Sequence, residues 1–357
     1  MTQPIKIGVV GCGAIAQVHH LPNLTALRDQ FEVSVVCDIS PAAAGYAAQR
    51  FHVPQAVTDY RHLLETDIEA VLLCQADPKT EIAVASFEAG KHVFIEKPMC
   101  YSLQEADSII AAQKKAGKVG QAGYMKVYDP AFELARQEVS GMQTISFVQI
   151  NHLHPDNALH LHQFQLARFD DYPPGALEAI QTARKAATQE AIGAAPEHVE
   201  RAFFILSGSM IHDLYGLRTI MGLPGSVVSA EIWQDGRAVT VVLAYPNGAR
   251  CVATWVDLPE LWDFKETLEI YGDDKRVILS YPTGFARGIL SEVTIQAIEV
   301  GNTYRRQPAI DWESAFVREL RHFYDCIAND VPCRTPVESA RDDVALIIEI
   351  IQHYLQQ

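Results

Sequence analysis

The stretch from Ile5 to Ala16 restricts the fold more than any other part of the chain. The largely apolar run Ile5-Lys6-Ile7-Gly8-Val9-Val10 reads as a buried strand and leads straight into Gly11-Cys12-Gly13-Ala14-Ile15-Ala16. That is the G-x-G-x-x-A spacing of a turn that binds a dinucleotide. Each small residue has a steric reason. Gly11 permits the tight turn, Gly13 lets a pyrophosphate approach the backbone, and Ala16 lets the following helix lie close to the strand. The helix opens at Ala14 and Ile15, so its first amides face the phosphates. A glycine-rich turn alone is a weak signal; a strand before it, a helix after it and an acid downstream make it a strong one.

The acid is Asp38, which closes a second strand, Phe31 to Cys37. A carboxylate there accepts hydrogen bonds from the adenosine ribose and repels a 2′-phosphate. No arginine follows in Ile39-Ser40-Pro41, so the expected cofactor is NAD, with NADP the less favoured alternative. Helices over Pro41 to Phe51, Tyr60 to Leu64, Lys79 to Ala89 and Leu103 to Ala116 then alternate with strands at Ala70 to Cys74, at the end of Gly90 to Pro98, and at Val119 to Tyr124. Such alternation predicts an α/β fold with a doubly wound parallel sheet, a Rossmann domain over residues 1–123.

Beyond Gly123 the pattern changes. A helix over Pro130 to Val139 is followed by strands at Gln143 to Asn151, Ser226 to Gln234, Ala238 to Tyr245, Ala249 to Val256 and Phe264 to Tyr271. Asp235-Gly236, Asn247-Gly248 and Asp273-Asp274 are hairpin turn signals between them. Residues 124–357 therefore read as a second α/β domain with a large, mainly antiparallel open sheet, used for substrate binding and assembly. Residues 151–206 form an insert with helices over Ala176 to Ala191 and Pro196 to Leu206, a flap or an oligomer contact. The apolar face of Val344 to Tyr354 predicts a last helix that packs back on the body.

The strand within Gly90-Lys91-His92-Val93-Phe94-Ile95-Glu96-Lys97-Pro98 ends in a charged pair at the carboxyl edge, where open α/β sheets bind ligands. Pro98 forces the chain to turn there, so Lys97 is presented at that edge. A formal charge of −15 repels nucleic acid and anionic membrane surfaces. No apolar run reaches membrane-spanning length, and the first strand begins so near Met1 that no secretory leader is expected. The seven cysteines lack CxxC pairs, and several sit in apolar strands. They are expected to be buried thiols in a reducing cytoplasm.

Taken together, the Gly11 to Ala16 turn, Gly90-Lys91-His92-Val93 with Glu96-Lys97-Pro98, Gly123-Tyr124-Met125-Lys126-Val127-Tyr128-Asp129-Pro130 and Met210-Ile211-His212-Asp213 resemble the Gfo/Idh/MocA oxidoreductases, in the same order along nearly the whole chain. The resemblance implies NAD(P)-dependent hydride transfer on a sugar, cyclitol or related polyol, with Lys97 and His212 catalytic and Glu96 and Lys97 beside the cofactor. It implies a substrate pocket bordered by Tyr124, Lys126 and Tyr128, with His154 of the insert and Asp213 as further candidates, and a homo-oligomer, dimer or tetramer. Three departures stand out. Gly208 replaces an aspartate one helical turn before His212, Cys74-Gln75 and Lys79 replace a Thr-Pro and a histidine, and the insert is unusually long.

Oxidation of a secondary alcohol needs a hydride acceptor, a base and a cation for the developing alkoxide. The nicotinamide, His212 and Lys97 supply that set. Asp213, the next residue round the helix, points too far away to replace the missing aspartate. His152-Leu153-His154 and His160-Leu161-His162 have a spacing that metals can use, but no cysteine or carboxylate set completes it, and no metal is expected. Two other readings of the same scaffold are a glycoside-cleaving enzyme that oxidises its substrate transiently with bound NAD, and a non-enzymatic NAD-binding regulator. Retention of both Lys97 and His212 speaks against the regulator.

Overall fold

The computed structural model describes residues 3–357, which divide into two compact units. The first comprises residues up to Tyr124 with Phe164–Gly193 and Phe316–Ala345, and the second comprises Met125–Gln163, Ala194–Ala315 and Leu346–Gln357. Two later segments go with the first unit. Both do so for a packing reason. Leu320, Phe323 and Tyr324 join the core of the first sheet, with Phe323 edge-on to Phe94 at 5.7 Å and Tyr324 edge-on to Phe31 at 5.8 Å. Phe169 of the insert packs against the same core.

In the first unit six strands, β1 (Ile5–Val10), β2 (Phe31–Cys37), β3 (Gln55–Val57), β4 (Ala70–Leu73), β5 (His92–Glu96) and β6 (Gly120–Gly123), form one parallel sheet in the order β3-β2-β1-β4-β5-β6. This is the doubly wound order, and its direction reverses between β1 and β4. Every residue of β4 is buried, as expected for a parallel strand covered on both faces. At Gly11, φ is +91°, and an added Cβ would lie 2.3 Å from the Gln75 amide nitrogen, so only glycine fits the first turn.

The second unit holds an eight-stranded sheet: β7 (Phe147–His154), β8 (Ser226–Trp233), β9 (Ala238–Ala244), β10 (Arg250–Asp257), β11 (Lys265–Tyr271), β12 (Lys275–Tyr281), β13 (Glu292–Glu299) and β14 (Asn302–Arg306). Their order is β14-β13-β12-β11-β7-β10-β9-β8, and every pairing except β7 with β10 is antiparallel. Two details differ from the sequence reading. β7 runs on to His154, so His152 and His154 belong to the central sheet and not to the insert. The last helix begins at Val337, earlier than its apolar stripe from Val344 suggests. Among the described residues no helix is long and apolar enough to cross a membrane.

Candidate functional site

The dinucleotide end of the first unit is built on the carboxyl edge of its sheet. Asp38 is fixed from both sides: its Oδ2 accepts the Cys12 N–H at 2.8 Å and its Oδ1 accepts the Ser40 N–H at 2.9 Å. A Cβ built at Gly13 would meet nothing within 4 Å, so the space over that turn is open to a ligand. Ala14 and Ile15 open the following helix, whose next turn, Ala16–His20, is wound as a π-helix. An open glycine, a helix start and an anchored acid at the end of β2 thus meet at this edge of the sheet.

Lys97 follows β5 at the same edge and is half-buried, and its peptide bond to Pro98 is cis. Its neighbour Glu96 is buried and turns inward, where Oε1 meets His20 Nε2 at 2.6 Å and Oε2 accepts the Lys97 N–H at 3.0 Å. Burial pushes the Glu96 carboxyl up, but the His20 hydrogen bond and the surrounding positive charge outweigh it and hold the group below its usual range. Glu96 thus positions the backbone that carries Lys97. Lys79 does so from the other side, donating to the Pro98 carbonyl at 3.1 Å while paired with Asp77 at 2.6 Å. Neither His20 nor this role of Lys79 was expected from sequence. Tyr124, after β6, is buried.

In the second unit strand register assembles a polar row. Trp255 on β10 faces His152 on β7, which faces Glu266 on β11, which faces Tyr281 on β12. The helix carrying His212 lies on that row. Asp213 Oδ2 meets His152 Nδ1 at 2.7 Å, and Ser209 Oγ accepts the Trp255 indole N–H at 2.9 Å. Lys126 is buried, ion-paired to Glu266, and its ammonium lies 4.6 Å from the Tyr281 ring centroid. Burial and Asp213 push Glu266 up, whereas Asp213, although buried too, is held low by His152. His152, Asp213 and Glu266 offer donor atoms within 4.8 Å of one another, but the Lys126 ammonium already supplies the positive charge there.

His212 Nδ1 lies 2.8 Å from the Tyr215 hydroxyl, which also accepts the Lys126 N–H at 3.1 Å. Tyr215, less than one turn after the histidine, thus partners Nδ1 from the opposite side of the helix turn to Gly208. Asp213 serves His152 instead. Tyr128 is buried, and His154 stacks on Trp255 at 5.5 Å. A third cluster, in the first unit, groups His322, Cys326 and Cys333. There the Arg334 N–H already occupies the His322 nitrogen that faces Cys326.

Residues 5–124 match the model of an oxidoreductase family with an NAD-binding Rossmann fold, Gfo/Idh/MocA. The match covers the six-stranded parallel sheet of the first unit. Inositol 2-dehydrogenase of Paracoccus denitrificans (strain Pd 1222) is 34% identical over 141 residues, 38% of this chain and 41% of that enzyme, so the chain matches well under half the length of that relative. Among solved structures, levoglucosan dehydrogenase in complex with NADH and levoglucosan has a TM-score of 0.77 at 19% identity, with 99% of this chain and 98% of that one covered. A 3-ketoreductase from Actinomadura kijaniata in complex with NADP has a TM-score of 0.73 at 19% identity, with 96% of each chain covered. These likenesses show the fold along nearly the whole chain, both sheets included.

Burial also sets an acid response. It depresses His154, with help from His152, to about 4, and depresses His92, with help from Lys118, to about 4. Unfolded histidine titrates near 6.5. Between those values the unfolded chain binds more protons than the native one, so stability falls as pH drops through that window. His92→Asn and His154→Gln should each flatten the decline of the denaturation midpoint between pH 7 and pH 4.5. An unchanged slope in both would place the acid response on other groups.

Proposed function

We propose that this protein is an NAD-dependent oxidoreductase that moves a hydride between the nicotinamide and a secondary hydroxyl, or the matching ketone, of a sugar, sugar derivative or cyclitol. The observation that carries the reading is Lys97, held at the carboxyl edge of β5 by Glu96 and Lys79, in a unit whose first turn is open at Gly13 and whose Asp38 is anchored for a ribose. The names of the inositol and levoglucosan relatives support the substrate class.

The bound cofactor supplies the hydride acceptor. The protein supplies charge and proton transfer: the Lys97 ammonium stabilises negative charge on the reacting oxygen, and His212 takes or returns the hydroxyl proton. For His212 to act through Nε2 in either direction, Nδ1 must carry a proton. The Tyr215 oxygen can receive it, since a phenol oxygen has two acceptor positions and the Lys126 amide takes one. Tyr215→Phe should therefore lower kcat roughly 10- to 100-fold, within the range of general acid–base effects, with little change in cofactor KM. Unchanged kcat would take the phenol out of the proton path.

Asp38 favours NAD over NADP in this reading. The deciding assay is a panel of sugars, inositols and other polyols followed at the NADH absorbance, in parallel with NADP. Oxidation of at least one polyol supports the reading. Failure across the panel, with turnover of a glycoside in the absence of added NAD, would replace it with transient oxidation and elimination.

A further inference from the structure

The long insert does more than lengthen the chain. Its segment Phe164–Gly193 belongs to the nucleotide-binding unit and is fastened there at two points. At the first, the Gln17 carboxamide bridges the glycine turn to the insert. Its nitrogen donates to the Cys12 carbonyl at 2.8 Å and the Ala167 carbonyl at 3.0 Å, and its oxygen accepts the Ala167 N–H at 3.0 Å. At the second, Asp171 meets the loop after β2, accepting the Ser40 hydroxyl proton and the Ala42 N–H at 2.9 Å. Phe169 lies 5.6 Å from Tyr46, on the helix Pro41–Phe51 that this loop opens.

Ser40 lies between two carboxylates. Its amide is bound to Asp38 and its hydroxyl to Asp171. A ribose held by Asp38 would lie beside this loop, and a 2′-phosphate on it would draw on the start of the helix Pro41–Phe51 for donors, as phosphates do at helix N-termini. Asp171 already takes those donors and adds a second negative charge. The Ser40 hydroxyl and the Ala42 amide keep its carboxyl below the usual carboxylate range, so that charge is permanent at neutral pH.

We propose that Asp171 is a specificity-determining residue, an insert-borne carboxylate that fills the 2′-phosphate position of the dinucleotide site and excludes NADP independently of Asp38. The proposal deepens the NAD-dependent reading above and rests on it. It separates two roles: Asp38 both holds the ribose and repels phosphate, whereas Asp171 only occupies and repels. Asp38→Ala should then weaken NADH binding and relieve only part of the exclusion of NADPH, because Asp171 remains, whereas Asp171→Ala should tighten NADPH binding without weakening NADH.

The test is direct titration of NADH and NADPH into the full-length protein, followed by nicotinamide fluorescence, so it needs no substrate. For Asp171→Ala the expected result is NADPH binding tightened by about tenfold or more, a loss of one close like-charge contact, with NADH within about twofold of wild type. Asp171→Asn keeps an acceptor on Ala42 and removes the charge, so it serves if the alanine variant does not fold, and a smaller gain in NADPH affinity is expected. In the wild type the NADH preference should shrink as salt is raised. Equal NADPH affinity in wild type and both Asp171 variants would overturn the proposal while NADH binding upheld the cofactor reading. Absence of NADH binding in the wild type would overturn both.

Discussion

Lys97→Met should leave the fold and NADH binding close to wild type and lower kcat roughly 100- to 1000-fold, the usual loss when a group that stabilises transition-state charge is removed. The size of the effect follows from how the lysine is held. Glu96 and Lys79 fix the backbone on either side of it through the Lys97 N–H and the Pro98 carbonyl, so the ammonium is presented without reorganisation. Neither support depends on the Lys97 side chain, so the substitution should not disturb them. Single-turnover kinetics separates this loss from binding. A variant with kcat within about threefold of wild type would assign Lys97 to structure and leave His212 to carry the chemistry alone.

The parts of this architecture legible in the sequence are those governed by local rules. The β1 turn and Asp38 announce themselves because a glycine at positive φ, an open glycine and a strand-end acid are each demanded by short-range geometry. The strand ending at Lys97 is visible for the same reason. What escaped is set by distance along the chain. Lys126 and Glu266 are 140 positions apart, Gln17 and Ala167 are 150, and no periodicity links such pairs. β12, β13 and β14 were not anticipated, although β12 brings Tyr281 to the buried polar row. The sequence assigns His152 to the insert because Asn151-His152-Leu153-His154 carries too few apolar residues to extend the strand before it. Only the register of β7 against β10 and β11 turns it into a core residue between Trp255 and Glu266. Tyr215 was overlooked since a tyrosine in an apolar helix reads as packing until its hydroxyl is seen between His212 and the Lys126 amide.

The buried row in the second unit should respond most strongly to loss of its one ammonium. Lys126 is ion-paired with Glu266, and Asp213 stands nearby with His152 as its partner, so two carboxylates face an ammonium and an imidazole inside the protein. Lys126→Met keeps the length of the side chain and its packing against Tyr281, but it leaves Glu266 buried without its cation. Breaking a buried pair in this way costs about 3–5 kcal/mol, more than the intact pair contributes, because the surviving charge has lost both water and partner. Glu266→Gln added to Lys126→Met should recover most of that loss, since it removes the stranded charge, and a double-mutant cycle by chemical denaturation measures the recovery. The cost should also depend on pH. Burial and Asp213 already push Glu266 up, and removal of Lys126 pushes it further, so the native variant binds a proton that the unfolded chain releases. Stability of Lys126→Met relative to wild type should therefore fall as pH rises from about 5 to 8, the sign expected when a native carboxyl titrates above its unfolded value. A loss that is independent of pH, and that Glu266→Gln fails to relieve, would mean that Lys126 acts through packing against Tyr281 and not through its charge.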